Sequence, residues 1–227
     1  TGMKKGKMFM KKRTILRLTA AILFLLVVGC GIYVSDYYRA EETIGVLSPS
    51  VSMEISDDRM VFLPEEAEAG LIFYPGGKVE HTAYTPLMEA LASEGILCVL
   101  VEMPFRLAVL DVNAADGIPE AFPEVECWYM GGHSLGGAMA ADFAARYPVD
   151  GLILFSMMDD DGNRVAAKYH KPIVCIDTYS SEKSDDFINV GLDDEKGTCQ
   201  AVKYLIENGH RKIGFFTDNR VGVDRAR

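Results

Sequence analysis

A serine stands between closely spaced glycines in WYMGGHSLGGAMAADFAARYP, residues 128–148. The apolar residues before it predict a strand, and the small residues after it predict a helix that ends before Pro148. A serine on so sharp a turn has a strained backbone and needs glycine neighbours, and its hydroxyl projects from the carboxyl edge of the sheet. The spacing predicts a nucleophile, with a merely tight turn as the alternative. The turn consists of Gly132, His133, Ser134, Leu135 and Gly136.

Hydrogen-bond donors must stabilise the oxyanion that forms when such a serine attacks a carbonyl group. The N–H of Leu135 is one candidate, because it lies at the positive end of the predicted helix dipole. The loop sequence YPGGKV, which follows an earlier apolar run, offers the backbone of Gly77 and Lys78, and glycine lets the backbone approach a ligand closely. We therefore predict an oxyanion hole from these three residues, with a plain glycine turn as the alternative for the loop.

The elements that must position these residues alternate along the chain. The continuous apolar runs AGLIFYPGG and ILCVLVEMP are typical of strands buried on both faces, and TPLMEALASEG between them predicts a helix. An antiparallel hairpin, SVSMEISDDRMVFLP, precedes them and turns at Asp57 and Asp58. After residue 150 the rhythm continues with the helices GNRVAAKYH and EKGTCQAVKYLIENG and the strands KPIVCID, FINVGL and KIGFFT. This order predicts a three-layer α/β sandwich with a mostly parallel sheet.

Residues 50–155, with the loop and the serine turn quoted above, resemble the α/β-hydrolase superfamily, and specifically its membrane-anchored bacterial fold-5 type. The resemblance implies a serine hydrolase that acts on esters or related acyl compounds through an acyl-enzyme. The five cysteines show no metal-type spacing, and we expect no cofactor or metal. The resemblance also implies the chain order nucleophile, acid, histidine, all at the carboxyl edge of the sheet. Asp177, at the end of PIVCID, is the candidate acid, and a solvated or turn-capping aspartate is the alternative.

No histidine is well placed as the base. His170 and His210 precede predicted strands and so belong to the amino edge, and the turn is expected to send the side chain of His133 away from its neighbour. His81 reaches the correct edge but precedes the serine in the chain. We therefore expect weak or absent turnover.

Residues 149–227 resemble the ligand-binding core of the lactose-repressor family, most clearly in NVGLDDEKGTCQAVKYLIENGHRKIGFF. The resembling stretch does not include the DNA-binding headpiece or the second lobe of that family. The resemblance makes Asp177 and Asp193 candidate ligand contacts, and capping of a loop is the alternative role for both. The predicted regions are 1–38, 46–156 and 157–227, with a junction near 151–156. The junction has three possible origins: a natural fusion, an assembly artefact or deliberate recombination. The alternative to a hydrolase is a sugar-binding fragment or an inert chimera.

Seven basic residues and no acidic residue precede Asp36. The last of the basic residues is followed directly by the uncharged apolar run LTAAILFLLVVGCGIYV. This pattern predicts a single-pass membrane anchor with the bulk of the chain outside the cytoplasm. A cleaved signal peptide, a lipoprotein anchored at Cys30 and a buried core helix are the alternatives. The remaining 16 basic and 33 acidic residues exclude a nucleic-acid partner. A small acyl compound and the membrane are the expected partners, and the sequence leaves the oligomeric state open.

Overall fold

The computed structural model describes residues 2–40, 48–157, 169, 171–177, 187–191 and 193–214. It separates into two compact units, Thr1–Arg39 and Ala40–Arg227. The first unit contains helix α1 (Gly2–Ser35). Within it, Thr14–Ser35 is long and apolar enough to cross a membrane, and a signal sequence would satisfy the same criterion.

An eight-stranded sheet forms the centre of the second unit, in the order β1-β2-β4-β3-β5-β6-β7-β8. β1 and β2 pair antiparallel, as do β2 and β4, and all other neighbours are parallel. The strands are β1 (Val51–Ile55), β2 (Arg59–Pro64), β3 (Ala69–Tyr74), β4 (Ile96–Val101), β5 (Trp128–His133), β6 (Gly151–Phe155), β7 (Ile173–Ile176) and β8 (Phe187–Val190). The further helices are α2 (Thr85–Ser93), α3 (Ile118–Ala121), α4 (Leu135–Ala144) and, last in the described chain, α5 (Asp194–Glu207).

Helices cover both faces of the sheet. Successive residues of a strand point to opposite faces, so each strand can contribute side chains to both cores. On β3, Ile72 and Tyr74 belong to the core that contains residues of α4, whereas Leu71 and Phe73 belong to the core that contains residues of α2. All four side chains are buried. The predicted three-layer sandwich with a mostly parallel sheet is therefore confirmed.

Most local predictions agree with the elements found. The antiparallel hairpin is β1 and β2, closed by the Ser56 N–H, which donates to the carbonyl oxygen of Arg59 (2.9 Å). The strand expected in KIGFFT is absent over its described part, residues 212–214, because a strand requires a paired neighbour and none pairs with these residues in the described chain. The helix expected in GNRVAAKYH lies outside the described residues.

Candidate active site

Ser134 forms the joint between β5 and α4, and its side chain is exposed. Its backbone has φ 51° and ψ −117°, a conformation that non-glycine residues rarely adopt. The Ser134 N–H donates to the carbonyl oxygen of Phe155 at the end of β6 (2.9 Å), and its carbonyl oxygen accepts the first helical bond from Ala138 (3.1 Å). The serine is therefore fixed from both sides by main-chain bonds while its hydroxyl faces solvent.

The glycines on either side of Ser134 are required by backbone contacts. A Cβ atom on Gly132 would lie 2.6 Å from the carbonyl carbon of Gly136, across the turn. A Cβ atom on Gly136 would lie 2.2 Å from the carbonyl oxygens of Tyr74 and Pro75, at the end of β3. Both distances are too short for a side-chain atom, so this tight packing of α4 against the sheet is possible only with glycine.

The loop after β3 packs directly over the serine turn. A Cβ atom on Gly77 would lie 3.0 Å from Cδ2 of Leu135, which places this loop backbone against the first residue of α4. The Lys78 N–H donates to the carbonyl oxygen of Arg106 (2.9 Å), and Lys78 has φ 60°. The structure thus brings together Gly77 and Leu135, while the Lys78 N–H is already used within a neighbouring loop.

Three adjacent strands end in residues with positive φ along the carboxyl edge. Ser134 follows β5, Ser156 (φ 48°) follows β6 and Asp177 (φ 54°) follows β7. The Ser156 N–H donates to the carbonyl oxygen of Ile176 (2.9 Å), and the Asp177 N–H donates to that of Val190 (2.9 Å). Each strand end is therefore bonded to the next one along the same edge.

Ser156 was not identified from the sequence, although it lies between the predicted nucleophile and the predicted acid. Its hydroxyl donates to Oδ2 of Asp177 (3.3 Å). Neighbouring strands lie about 4.8 Å apart, so two strand spacings separate the backbones of Ser134 and Asp177 by about 10 Å. Any base that connects them must span that gap. A serine directly after the apolar run GLILF was the signal available in the sequence.

Two of the four histidines lie in this part of the fold. His133 is the last residue of β5, and its Nδ1 lies 2.8 Å from the hydroxyl oxygen of Tyr84. Nδ1 of His81 lies 3.8 Å from Oε2 of Glu102, which follows β4. Burial lowers the pKa of both imidazoles, and for His81 the nearby Glu102 carboxylate partly opposes that effect. Burial thus favours the neutral form of both rings.

The remaining candidates have other partners or lie outside the described residues. His210 follows α5, is exposed, and donates its N–H to the carbonyl oxygen of Leu205 (3.0 Å). Asp193 caps α5, since its Oδ1 accepts the Lys196 N–H (2.9 Å). His170 lies outside the described residues. In the described chain, no group of three or more metal-ligating side chains has the arrangement of a metal site.

The sequence matches the family model described as "Alpha/beta hydrolase family" over residues 70–207, more than half of the chain. The match continues past the boundary expected at residue 156, so it overlaps the region that resembles the lactose-repressor core. The division of the chain at that boundary stays a prediction. A comparison with curated proteins finds no match.

Several solved structures are similar in fold. A dienelactone hydrolase from Anabaena variabilis is 14% identical, with 70% of this chain and 96% of that chain covered and a TM-score of 0.50. An esterase from the Planctomycetes species Thermogutta terrifontis is 13% identical, with 71% and 93% covered and a TM-score of 0.41. A Pyrococcus furiosus esterase is 10% identical, with 76% and 98% covered and a TM-score of 0.47. Similarity at these identities bears on the fold alone.

Proposed function

Because the chain belongs to the alpha/beta hydrolase family, we propose that it is a serine hydrolase that cleaves carboxylic esters and is held at a membrane by α1. The observation that carries the proposal is the backbone of Ser134, which has φ 51° although its side chain is exposed. Glycine would adopt this conformation without strain, so packing gives no reason for a serine here. A hydroxyl group presented at the carboxyl edge of the sheet supplies that reason.

In the proposed reaction, Oγ of Ser134 forms a bond to the ester carbonyl carbon and gives its proton to a base. The resulting oxyanion accepts hydrogen bonds, and its collapse breaks the ester bond, so that the alcohol leaves with the proton. Water then attacks the acyl-enzyme, the acid is released, and the proton returns to Oγ. The net reaction consumes one water molecule for each ester cleaved.

The backbone N–H groups of Leu135 and Gly77 are the proposed oxyanion donors. Leu135 begins α4, so its N–H points out of the helix where the helix dipole is positive. Gly77 contacts the Leu135 side chain, which supports a shared site for the two groups. Lys78 was the other loop candidate, and its bond to Arg106 favours Gly77 over it.

Asp177 is the proposed acid, and Ser156 holds its carboxylate. The order nucleophile, acid, histidine would place the base directly after β8, but residues 191–193 (GLD) contain no histidine, and His210 comes only after α5. His81 is the candidate proton acceptor instead, because burial favours its neutral form and the Glu102 carboxylate, 3.8 Å from Nδ1, would favour the proton that it accepts. A serine with an incomplete set of partners retains part of its rate through positioning and the oxyanion hole. We therefore propose slow turnover.

Exposed apolar side chains after β4 support an acyl substrate. Phe105, Val109 and Leu110 are 66%, 54% and 56% exposed. Arg106, in the same segment, accepts the Lys78 N–H and so connects this loop to the one that carries Gly77. That loop packs against the serine turn, so an apolar surface joined to it favours an ester whose acyl group is a hydrocarbon chain.

The membrane location rests on α1 and its charge. Thr14–Ser35 can span a bilayer by length and composition, and the basic residues before it favour the cytoplasmic side. The hydrolase unit would then lie outside the cytoplasm. A lipid anchor on Cys30 is the alternative attachment, and it would give the same orientation.

A fluorophosphonate probe tests the nucleophile in the full chain in detergent micelles. We expect the wild type to be labelled, Ser134→Ala to lose labelling, and Ser52→Ala, an exposed serine of β1, to be labelled like the wild type. No labelling of folded wild type, or equal labelling of Ser134→Ala, would contradict the proposal. Hydrolysis of acetyl and octanoyl esters by the same samples then measures turnover and acyl preference.

A second proposal concerns residues 157–227, as a fragment of a lactose-repressor-type binding core or an inert chimeric segment. The observation that favours it is the exposure of α5, whose Tyr204 and Ile206 are 67% and 47% exposed. A helix in its complete domain normally buries its apolar face. A rise in melting temperature with a sugar, equal in wild type and Ser134→Ala, would support the binding fragment. No shift with any sugar would favour the inert segment.

A further inference from the structure

The hydroxyl group of Tyr84 connects the two parts of the proposed site. Tyr84 immediately precedes α2, and its Oη accepts the Gly76 N–H (3.0 Å) from the loop after β3. The same oxygen lies 2.8 Å from Nδ1 of His133, the residue before the nucleophile. One side chain thus contacts both the loop of the proposed oxyanion donor and the serine turn.

The first bond leaves the Tyr84 hydroxyl able to donate in the second. Since the Tyr84 oxygen accepts the Gly76 N–H, its own proton is free to be donated, and Nδ1 of His133 is the acceptor beside it. With Tyr84 as the donor, the His133 ring carries its proton on Nε2. Burial favours the neutral imidazole that this arrangement needs.

Packing holds the Tyr84 ring in place. Its ring centroid lies 5.0 Å from that of Phe73 on β3 and 5.9 Å from that of His133. The loop is so close to the turn that a Cβ atom on Gly76 would lie 2.4 Å from Nδ1 of His133. The position of the Gly76–Gly77 loop is therefore sensitive to small shifts of the His133 ring.

We propose that Tyr84 is a positioning residue that fixes the Gly76–Gly77 loop against the serine turn, so that the Gly77 and Leu135 N–H groups converge on one oxyanion. This inference rests on the proposed function, because it concerns the same site. Tyr84 acts through Gly76 and His133 and does not itself touch the substrate. Without its hydroxyl, the loop keeps its sequence but loses the bond that sets its distance from the turn.

Tyr84→Phe removes the hydroxyl and keeps the ring. We expect the maximal rate of fluorophosphonate labelling to fall about tenfold, because small displacements of a reacting group cost one to two orders of magnitude. The labelled fraction at the end of the reaction should stay at the wild-type level, whereas partial unfolding would lower that fraction. Thr85→Val is the matched control at the next position. The Thr85 hydroxyl has no hydrogen-bond partner in the described chain, so the labelling rate of Thr85→Val should equal that of the wild type.

The other partner gives an independent test. His133→Leu removes the acceptor and should also slow labelling, and the double variant with Tyr84→Phe should be no slower than the slower single variant. Additive losses would overturn the proposal. In histidine labelled with ¹⁵N, the wild-type His133 ring should show the Nε2–H tautomer with a hydrogen-bonded Nδ1, and Tyr84→Phe should shift the Nδ1 signal. An unchanged signal would also overturn it.

The two proposals fail in different ways. If folded wild type is not labelled, the serine-hydrolase proposal is wrong and the role of Tyr84 is wrong with it. If wild type is labelled, Ser134→Ala is not, and Tyr84→Phe is labelled at the wild-type rate, only the positioning role is wrong. Thermal unfolding followed by Trp128 fluorescence verifies that every sample is folded, since this side chain is the single tryptophan and is buried in the sheet.

Discussion

Gly136→Ala tests whether α4 can lie against β3 only with glycine at this position. The added Cβ atom would lie 2.2 Å from two main-chain oxygens, those of Tyr74 and Pro75. Ordinary contacts start above 3 Å, so α4 or the end of β3 must move by about 1 Å. Neither can move freely, because Tyr74 is fully buried and paired with Gly132 in the sheet.

The expected cost is about 3 kcal/mol, the upper part of the range for overpacked cores. For a domain of this size, each 1 kcal/mol corresponds to roughly 2–4 °C, so the melting temperature should fall by roughly 6–12 °C. Labelling of Ser134 should also slow, since a shift of α4 moves the Leu135 N–H away from Gly77. Trp128 fluorescence during heating of the full chain in micelles measures the melting temperature, and the fluorophosphonate probe measures the labelling rate.

Gly197→Ala is the matched control. Gly197 also lies within a helix, and a Cβ atom there would have no neighbour within 4 Å. Alanine should therefore add only its helix propensity, about 1 kcal/mol, and raise the stability of the segment. If Gly136→Ala melted within about 2 °C of the wild type, the close packing of α4 against β3 would not be required and our reasoning would be refuted.

Three further predictions follow from the described contacts. Ser134→Gly should raise the melting temperature while abolishing labelling, because glycine removes about 1–3 kcal/mol of backbone strain; a lower melting temperature would show that the serine is not strained. Thr85→Val should be neutral or stabilising, since its buried hydroxyl has no partner in the described chain, and a loss above about 1 kcal/mol in denaturant unfolding would reveal a hidden bond. The lowered pKa values of His81 and His133 mean that the unfolded chain binds protons more readily, so their contribution to stability is complete above pH 6.5 and declines as the pH falls below it. Melting temperatures that were flat between pH 7.5 and pH 5, or that rose on acidification, would contradict that sign.

The position of the serine turn could be predicted from the sequence because its cause is local. Gly132, Ser134 and Gly136 are neighbours along the chain, and the contact between Gly132 and Gly136 lies within the turn itself, whereas the contact of Gly136 with Tyr74 and Pro75 is not local. The alternation of buried strands and helices is read from periodicity in the same way, and it predicted the three-layer sandwich. The apolar length and basic flank of the first helix likewise follow directly from residue order.

Contacts between distant segments were decided only by the tertiary structure. Tyr84 and His133 are 49 positions apart, and their hydrogen bond exists because β3 and β5 pair in the sheet. The bond from Lys78 to Arg106 and the place of Ser156 beside Asp177 depend in the same way on which strands are neighbours. Sequence patterns fix which face of an element is apolar, but the partner of each polar group is chosen when the elements pack together.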